Sequence, residues 1–137
     1  MNNKDLFSEN VYSLLYENYF FHDFYIEKIT FSILDNKFRL ILFDEERGSF
    51  SIIFKKIFSF TCNIDFLVEK KNYDVISWNR IFKTLQYRHL LTIDIEKSKY
   101  SNLSIKYLNK KALKIIINFD FGFNVKMDCI DIIIKKL

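Results

Sequence analysis

Residues 113–129 read LKIIINFDFGFNVKMDC, and every second one is apolar: Leu113, Ile115, Ile117, Phe119, Phe121, Phe123, Val125, Met127 and Cys129. Between them stand Lys114, Asn118, Asp120, Gly122, Asn124, Lys126 and Asp128, with Ile116 the one apolar intruder. Successive side chains of an extended chain point to opposite faces, so a sustained period of two requires one dry face and one wet face. Gly122, inside the run, predicts a hairpin that folds back there. The C-terminal third is therefore expected to be half-buried β structure.

The same period runs upstream. Phe24 and Ile26 share one parity while Ile29, Phe31 and Ile33 share the other, which predicts a β-bulge at Glu27 and Lys28. Asp35 and Asn36 supply turn chemistry, and Phe38, Leu40 and Leu42 follow in alternation. Residues 44–48 read as a polar loop in which Gly48 is free to take a positive φ. Phe50, Ile52 and Phe54 bring the chain back, and Phe58, Phe60, Cys62, Ile64 and Phe66 keep the same even parity. Lys56 breaks that series and Ile57 intrudes, so a bend is expected there. The result is an antiparallel meander over residues 24–66.

Residues 69–74 are charged and read as a loop. Residues 75–85 fit a short helix, with Ile76, Ile81, Phe82 and Leu85 on one side, and fit an extended segment equally well. Leu91, Ile93 and Ile95, then Leu103, Ile105 and Tyr107, resume the period of two, and Ile130, Ile132 and Ile134 shift parity again. Phe7, Val11, Leu14 and Leu15 fall at helical spacing within residues 5–18. The expected class is α+β: a mainly antiparallel β-sheet of six to eight strands in meanders and hairpins, with an N-terminal amphipathic helix and room for a second short helix.

The 137 residues include no proline and two glycines, so no flexible linker is visible and one domain, 1–137, is expected. Half of the residues are apolar, enough for a core, and 28% are charged, enough for a wet surface. The 16 Phe and 8 Tyr, with abundant Ile, Lys and Asn, read as the mark of an A/T-rich coding sequence, a bias that also suits pleated sheet. Lys and Arg exceed Asp and Glu by 21 to 17, and the lysine pairs at 55–56, 70–71, 110–111 and 135–136 are dispersed along the chain. A nucleic-acid binder would be expected to gather its cations on one face. No apolar run approaches the roughly 20 residues that span a bilayer, so no membrane partner is expected. The opening residues lack an apolar signal core, and Cys62 and Cys129 lie on apolar parities as reduced, buried thiols. A cytoplasmic location is the expectation that follows.

His22 and His89 are the only histidines, too few for a multi-histidine metal cage. Two distant glycines cannot make a phosphate-cradling loop. Asp128 with Asp131, and Asp94 with Glu96, are carboxylate pairs of the kind any charged sheet surface produces. No catalytic residue, cofactor or metal ligand is assigned, and a non-enzymatic protein is expected. His22 reads as a junction residue whose ring bonds backbone. Trp78, Arg80 and Tyr87, with Arg88, form a candidate patch for stacking nucleotides or anchoring a protein, against the plainer reading that Trp78 packs on the core. Tyr12, Tyr16, Tyr19 and Tyr25 are further surface candidates.

Two regions carry a family likeness. One is FFHDFYIEKITFSILDNKFRLILF (20–43) followed by FSIIFKKIFSF (50–60); the other is the ending KIIINFDFGFNVKMDCIDIIIKKL (114–137). An aromatic-His-Asp lead into a meander, closed by a strand, an Asp-Phe-Gly turn and a last strand, resembles small bacterial immunity proteins of polymorphic or contact-dependent toxin systems. The resemblance implies a monomeric cytoplasmic protein that neutralises a cognate toxin domain by stoichiometric binding. His22, Asp23 and Gly122 match the pattern as fold markers rather than contacts. Nuclease inhibitors are often strongly acidic, whereas this chain carries a net charge of +4. The contact is then expected to be locally acidic, around Asp44, Glu45 and Glu46, or the toxin to be something other than a cationic nuclease. The alternative is a small nucleic-acid-binding module that uses the dispersed lysines and exposed tyrosines.

Overall fold

The computed structural model describes residues 21–65, 70–72, 80, 82–86, 88–97 and 112–137. Seven strands appear in it: β1 (Phe24–Ser32), β2 (Lys37–Asp44), β3 (Gly48–Asp65), β4 (Lys70–Asn72), β5 (His89–Lys97), β6 (Leu113–Phe119) and β7 (Phe123–Lys136). Every pairing is antiparallel. The order is β2-β1-β5-β6-β7-β3-β4, and β2 also pairs with β3. That last pairing closes a ring, β1–β2–β3–β7–β6–β5 and back to β1, with β4 appended to the far end of β3. Closure covers part of the edge that a meander would otherwise leave, since β1 and β5 pair at one end.

The alternation read from the sequence sets which side chains enter the ring. Ile115, Ile117 and Phe119 of β6, and Val125, Met127 and Cys129 of β7, are all buried. Between the two strands a single turn of 3-10 helix, Asp120–Gly122, makes the hairpin, with Gly122 at φ 77°. The predicted bulge in β1 is present as a register shift between Ile26 and Lys28, which turns Phe24, Ile26 and Ile29 all inward. Asn36 at φ 52° and Gly48 at φ 92° make the two turns of the meander, in the left-handed region that Asn and Gly tolerate best. Phenylalanine fills the narrow interior. Phe21, Phe24 and Phe50 meet at centroid distances of 5.2, 5.4 and 5.8 Å. Phe38 lies among Phe31, Phe54, Phe60 and Phe82 at 6.2, 6.0, 5.3 and 5.6 Å. Whatever biased the codons, these rings build the core.

The structure corrects several expectations. The bend at Lys56 is real, with φ 55° and a register shift between Ile57 and Ser59, and it costs Phe58 its place in the core. Ile57 packs inward instead, and Phe58 is 51% exposed. A similar shift between Leu90 and Thr92 buries Leu90 and leaves Leu91 outside, whereas the alternation had placed Leu91 inside. Lys70–Asn72, expected within a loop, forms β4 because it finds the free end of β3, pairing Asn63 with Asn72 and Asp65 with Lys70. Residues 82–85 are helical, which settles that part of the open reading. The expected N-terminal helix, and the strand through Leu103, Ile105 and Tyr107, lie outside the described residues.

The helical turn has a defined task. β1 and β5 pair only through Phe24 with Leu90 and Tyr25 with His89, extended by the Ile26 N–H donating to the Arg88 carbonyl at 2.8 Å. Beyond that seam the strands part. Phe82 and Leu85 bury themselves there, and Gln86 Nε2 donates to the Glu27 carbonyl at 2.9 Å, giving the bulge a partner.

Candidate functional site

At the end of the ring where β1 meets β5, the strand register lines up three rings on the outer surface. Phe43 is the cross-strand neighbour of Tyr25, and Tyr25 is the neighbour of His89. Tyr25 and His89 stack edge to face at 4.9 Å, while Tyr25 and Phe43 remain 42% and 38% exposed. Asp23, Asp44, Glu45 and Glu46 join these three to line a groove of about 690 Å³. Asp23 reaches it through a left-handed backbone, φ 60°, just before β1. An aromatic floor with a carboxylate rim is suited to guanidinium and ammonium groups, which gain from ring faces and from charge together.

The rim is organised by a residue that the sequence reading did not single out, Arg47. Asp44 Oδ2 accepts the N–H groups of Glu46 and Arg47 at 3.1 and 2.9 Å, and Asp44 Oδ1 accepts Arg47 Nη2 at 3.1 Å. Arg47 Nη2 also donates to the His22 carbonyl at 2.9 Å, and its guanidinium lies 4.1 Å over the Phe24 ring. These contacts, led by the Arg47 side chain, lower the Asp44 pKa to about 2. Asp44 is thus committed to holding the turn, and Glu45 and Glu46 are the exposed members of the acidic trio. The signal available in the sequence was the spacing Asp44-x-x-Arg47 next to Gly48, the pattern of a side chain capping its own turn.

His22 behaves differently from expectation. Its carbonyl serves the site through Arg47, and its exposed ring lies 3.5 Å from Asp23 rather than on backbone. Of the second candidate patch, Trp78 and Tyr87 lie outside the described residues. Arg80 is exposed, accepts the Thr84 hydroxyl at its carbonyl, and does not line the groove. The structure therefore brings together Asp44, Glu45 and Glu46, and adds Asp23, Tyr25, Phe43 and His89 to them.

Among the described residues no group of three or more His, Cys, Asp or Glu side chains is arranged to hold a metal ion. Cys62 and Cys129 are free thiols in the core, and burial pushes each up to about 12, with Asp128 and Asp131 adding to the rise at Cys129. A thiol held that far above neutrality is not a ready nucleophile. Elsewhere in the sheet, Thr92, Asn118, Asn124 and Asn63 stand side by side across four strands. Asn118 donates to Thr92 at 2.9 Å and Asn63 to Asn124 at 3.2 Å. This polar row, with Ser59 donating to Asp128 at 2.6 Å, ties the long strands together.

Comparison with known proteins bears on the fold alone. No protein-family model matches the chain, and no curated protein matches it. It is similar to the crystal structure of an uncharacterized protein from Neisseria gonorrhoeae, with TM-score 0.51 and 20% identity over 85% of this chain and 94% of that one. No helix among the described residues is long and apolar enough to cross a membrane.

Proposed function

We propose that this protein is a non-enzymatic immunity protein, which neutralises a cognate bacterial toxin in the cytoplasm by receiving a cationic segment of the toxin in the Phe43–Tyr25–His89 groove. The observation that carries the reading is the union of exposed aromatic rings with Glu45, Glu46 and Asp23 in one groove, on a turn held in advance by Asp44 and Arg47. Aromatic anchors in a preformed site supply contact area at small ordering cost, and the surrounding carboxylates set orientation and speed of encounter. A locally acidic groove also reconciles a basic chain with a basic target. The two regions that resemble immunity proteins contribute β1, β2, β6, β7 and most of β3.

The test begins with the neighbouring gene. Its product, made as an inactive toxin variant, should form a one-to-one complex with this chain on a sizing column. Glu45→Lys with Glu46→Lys should slow association and weaken binding by about tenfold or more, since charge reversal at a contact costs on the order of 1.4 kcal/mol. Tyr25→Ala should speed dissociation. A neighbour that is not toxin-like, or a complex indifferent to all three changes, refutes the proposal.

A further inference from the structure

The ring is fastened unevenly, and the loose part lies along β1. That strand pairs with β2 from Tyr25 to Ser32, but with β5 only at Phe24 and Tyr25, extended by the bond from Ile26 to Arg88. Over Lys28–Ser32 its second edge meets no strand among the described residues. Main-chain groups that point out of such an edge are a template for one more strand. One group beside it is already used in that manner. The Gln86 carboxamide donates to the Glu27 carbonyl at 2.9 Å, as the peptide N–H of a neighbouring strand would.

Beside this edge runs a groove of about 360 Å³, lined by Lys28, Ile29 and Thr30 of β1 and by Phe82, Lys83 and Gln86 of the helical turn. Ile29 and Phe82 are buried and give it an apolar floor, while Lys28, Thr30 and Lys83 are exposed. Neither ammonium group has an ion-pair partner among the described residues. Lys28 stands opposite Ile41 across the β1–β2 ladder, and Thr30 opposite Arg39, so no carboxylate faces them there. The carboxylate next to Lys28 in the chain, Glu27, is exposed and does not line the groove.

We propose that this edge receives an extended acidic segment of another protein, which pairs with Lys28–Ser32 as an added strand and sets its carboxylates against Lys28 and Lys83. Five residues of strand offer it a track of roughly 16 Å. In strand addition the main-chain bonds supply affinity, and side chains at alternate positions choose the partner. Charge decides between occupants. A second copy would bring Lys28 and Lys83 of both chains to one seam. Residues 98–111 of this chain carry Lys99, Lys106, Lys110 and Lys111 and no Asp or Glu, which makes them a poor match as well. Across the gap β5 bears Asp94 and Glu96, which favours β1 over β5 as the side an acidic strand joins. The site shares no lining residue with the Phe43–Tyr25–His89 groove.

The probe is a short capped peptide that alternates aspartate with valine, titrated into the full isotope-labelled chain. Backbone amide signals should move at Lys28–Ser32 and at Lys83 and Gln86, and the binding should weaken in about 0.5 M salt. Lys28→Glu with Lys83→Glu should weaken it about tenfold or more, and the peptide with lysine in place of aspartate should bind that variant but not the wild type. Both positions are exposed, and an unchanged urea midpoint shows that the variant remains folded. A copy N-methylated at every peptide bond keeps its charge but has no main-chain donors, and should not bind. Absence of shifts with the acidic peptide overturns the inference. So does equal binding of the N-methylated copy, which would make the contact one of charge alone. Self-association of the free chain through these residues also overturns it, in favour of a second copy. Glu45→Lys with Glu46→Lys leaves peptide binding unchanged, so this test and that of the aromatic groove fail independently.

Discussion

Replacing Phe38 by alanine tests how the ring is filled. Phe38 is fully buried and its ring meets Phe31, Phe54, Phe60 and Phe82 at centroid distances between 5.3 and 6.2 Å. Truncation forfeits the transfer energy of the ring and leaves a cavity that strands paired on both sides cannot easily close, a combined loss of about 3–5 kcal/mol. Against the 5–15 kcal/mol typical of a whole domain, that is a large share. With a urea m-value of about 1.5 kcal/mol/M, the midpoint should fall by roughly 2–3 M. Phe58→Ala is the control. Unbroken even parity would place both rings in the core, but the bulge at Lys56 turns Phe58 outward, so its removal should cost less than about 1 kcal/mol. Equilibrium unfolding followed by tryptophan fluorescence and circular dichroism measures both. Equal losses would mean that the parity never shifts and that the register described between Ile57 and Ser59 is wrong.

Three further outcomes follow from the contacts above. Asn36→Ala removes both bonds to Ile57 and places alanine at a positive φ, and urea unfolding should show a loss of about 1–3 kcal/mol. Asp44 has its pKa lowered from 3.8 to about 2, so its stabilising effect is complete above the unfolded value and is lost as the pH falls from near 4 through about 2. NMR titration of its side-chain carboxyl should show that low midpoint, and Arg47→Gln should return it towards 3.8. Cys62 and Cys129, pushed up to about 12 by burial, should resist a thiol reagent at pH 8 in the native protein and react once urea unfolds it.

What the sequence made legible was local. The alternation at 113–129 identifies which side chains of β6 and β7 are buried, and the parity change at Glu27 and Lys28 marks a bulge, because both obey a rule that acts between neighbours in the chain. Closure of the ring was not legible. It depends on β2 meeting β3 on one side while β1 meets β5 on the other, and no short-range pattern records such pairings. Leu91 was misplaced for the same reason: its parity is reset by a register shift against Phe119 and Asn118, residues far along the chain. At the site, Asp44, Glu45 and Glu46 stood out as a run of charge. Tyr25 was one of four tyrosine surface candidates, while Phe43 and His89 did not stand out, since the three become a row only once three strands lie side by side. Arg47 was hidden differently, as one cation among many until its contacts with Asp44, His22 and Phe24 are seen together.

The narrow seam between the first and fifth strands has a mechanical side. Two of the residues that fasten it, Tyr25 and His89, are also the floor on which a guest would rest. A visitor in that place lies across the join like a clasp across the ends of a bracelet, so gripping it and tightening the hoop become one act. Amide exchange at those two positions would slow on capture and quicken on release, and the circle would report on its own occupancy.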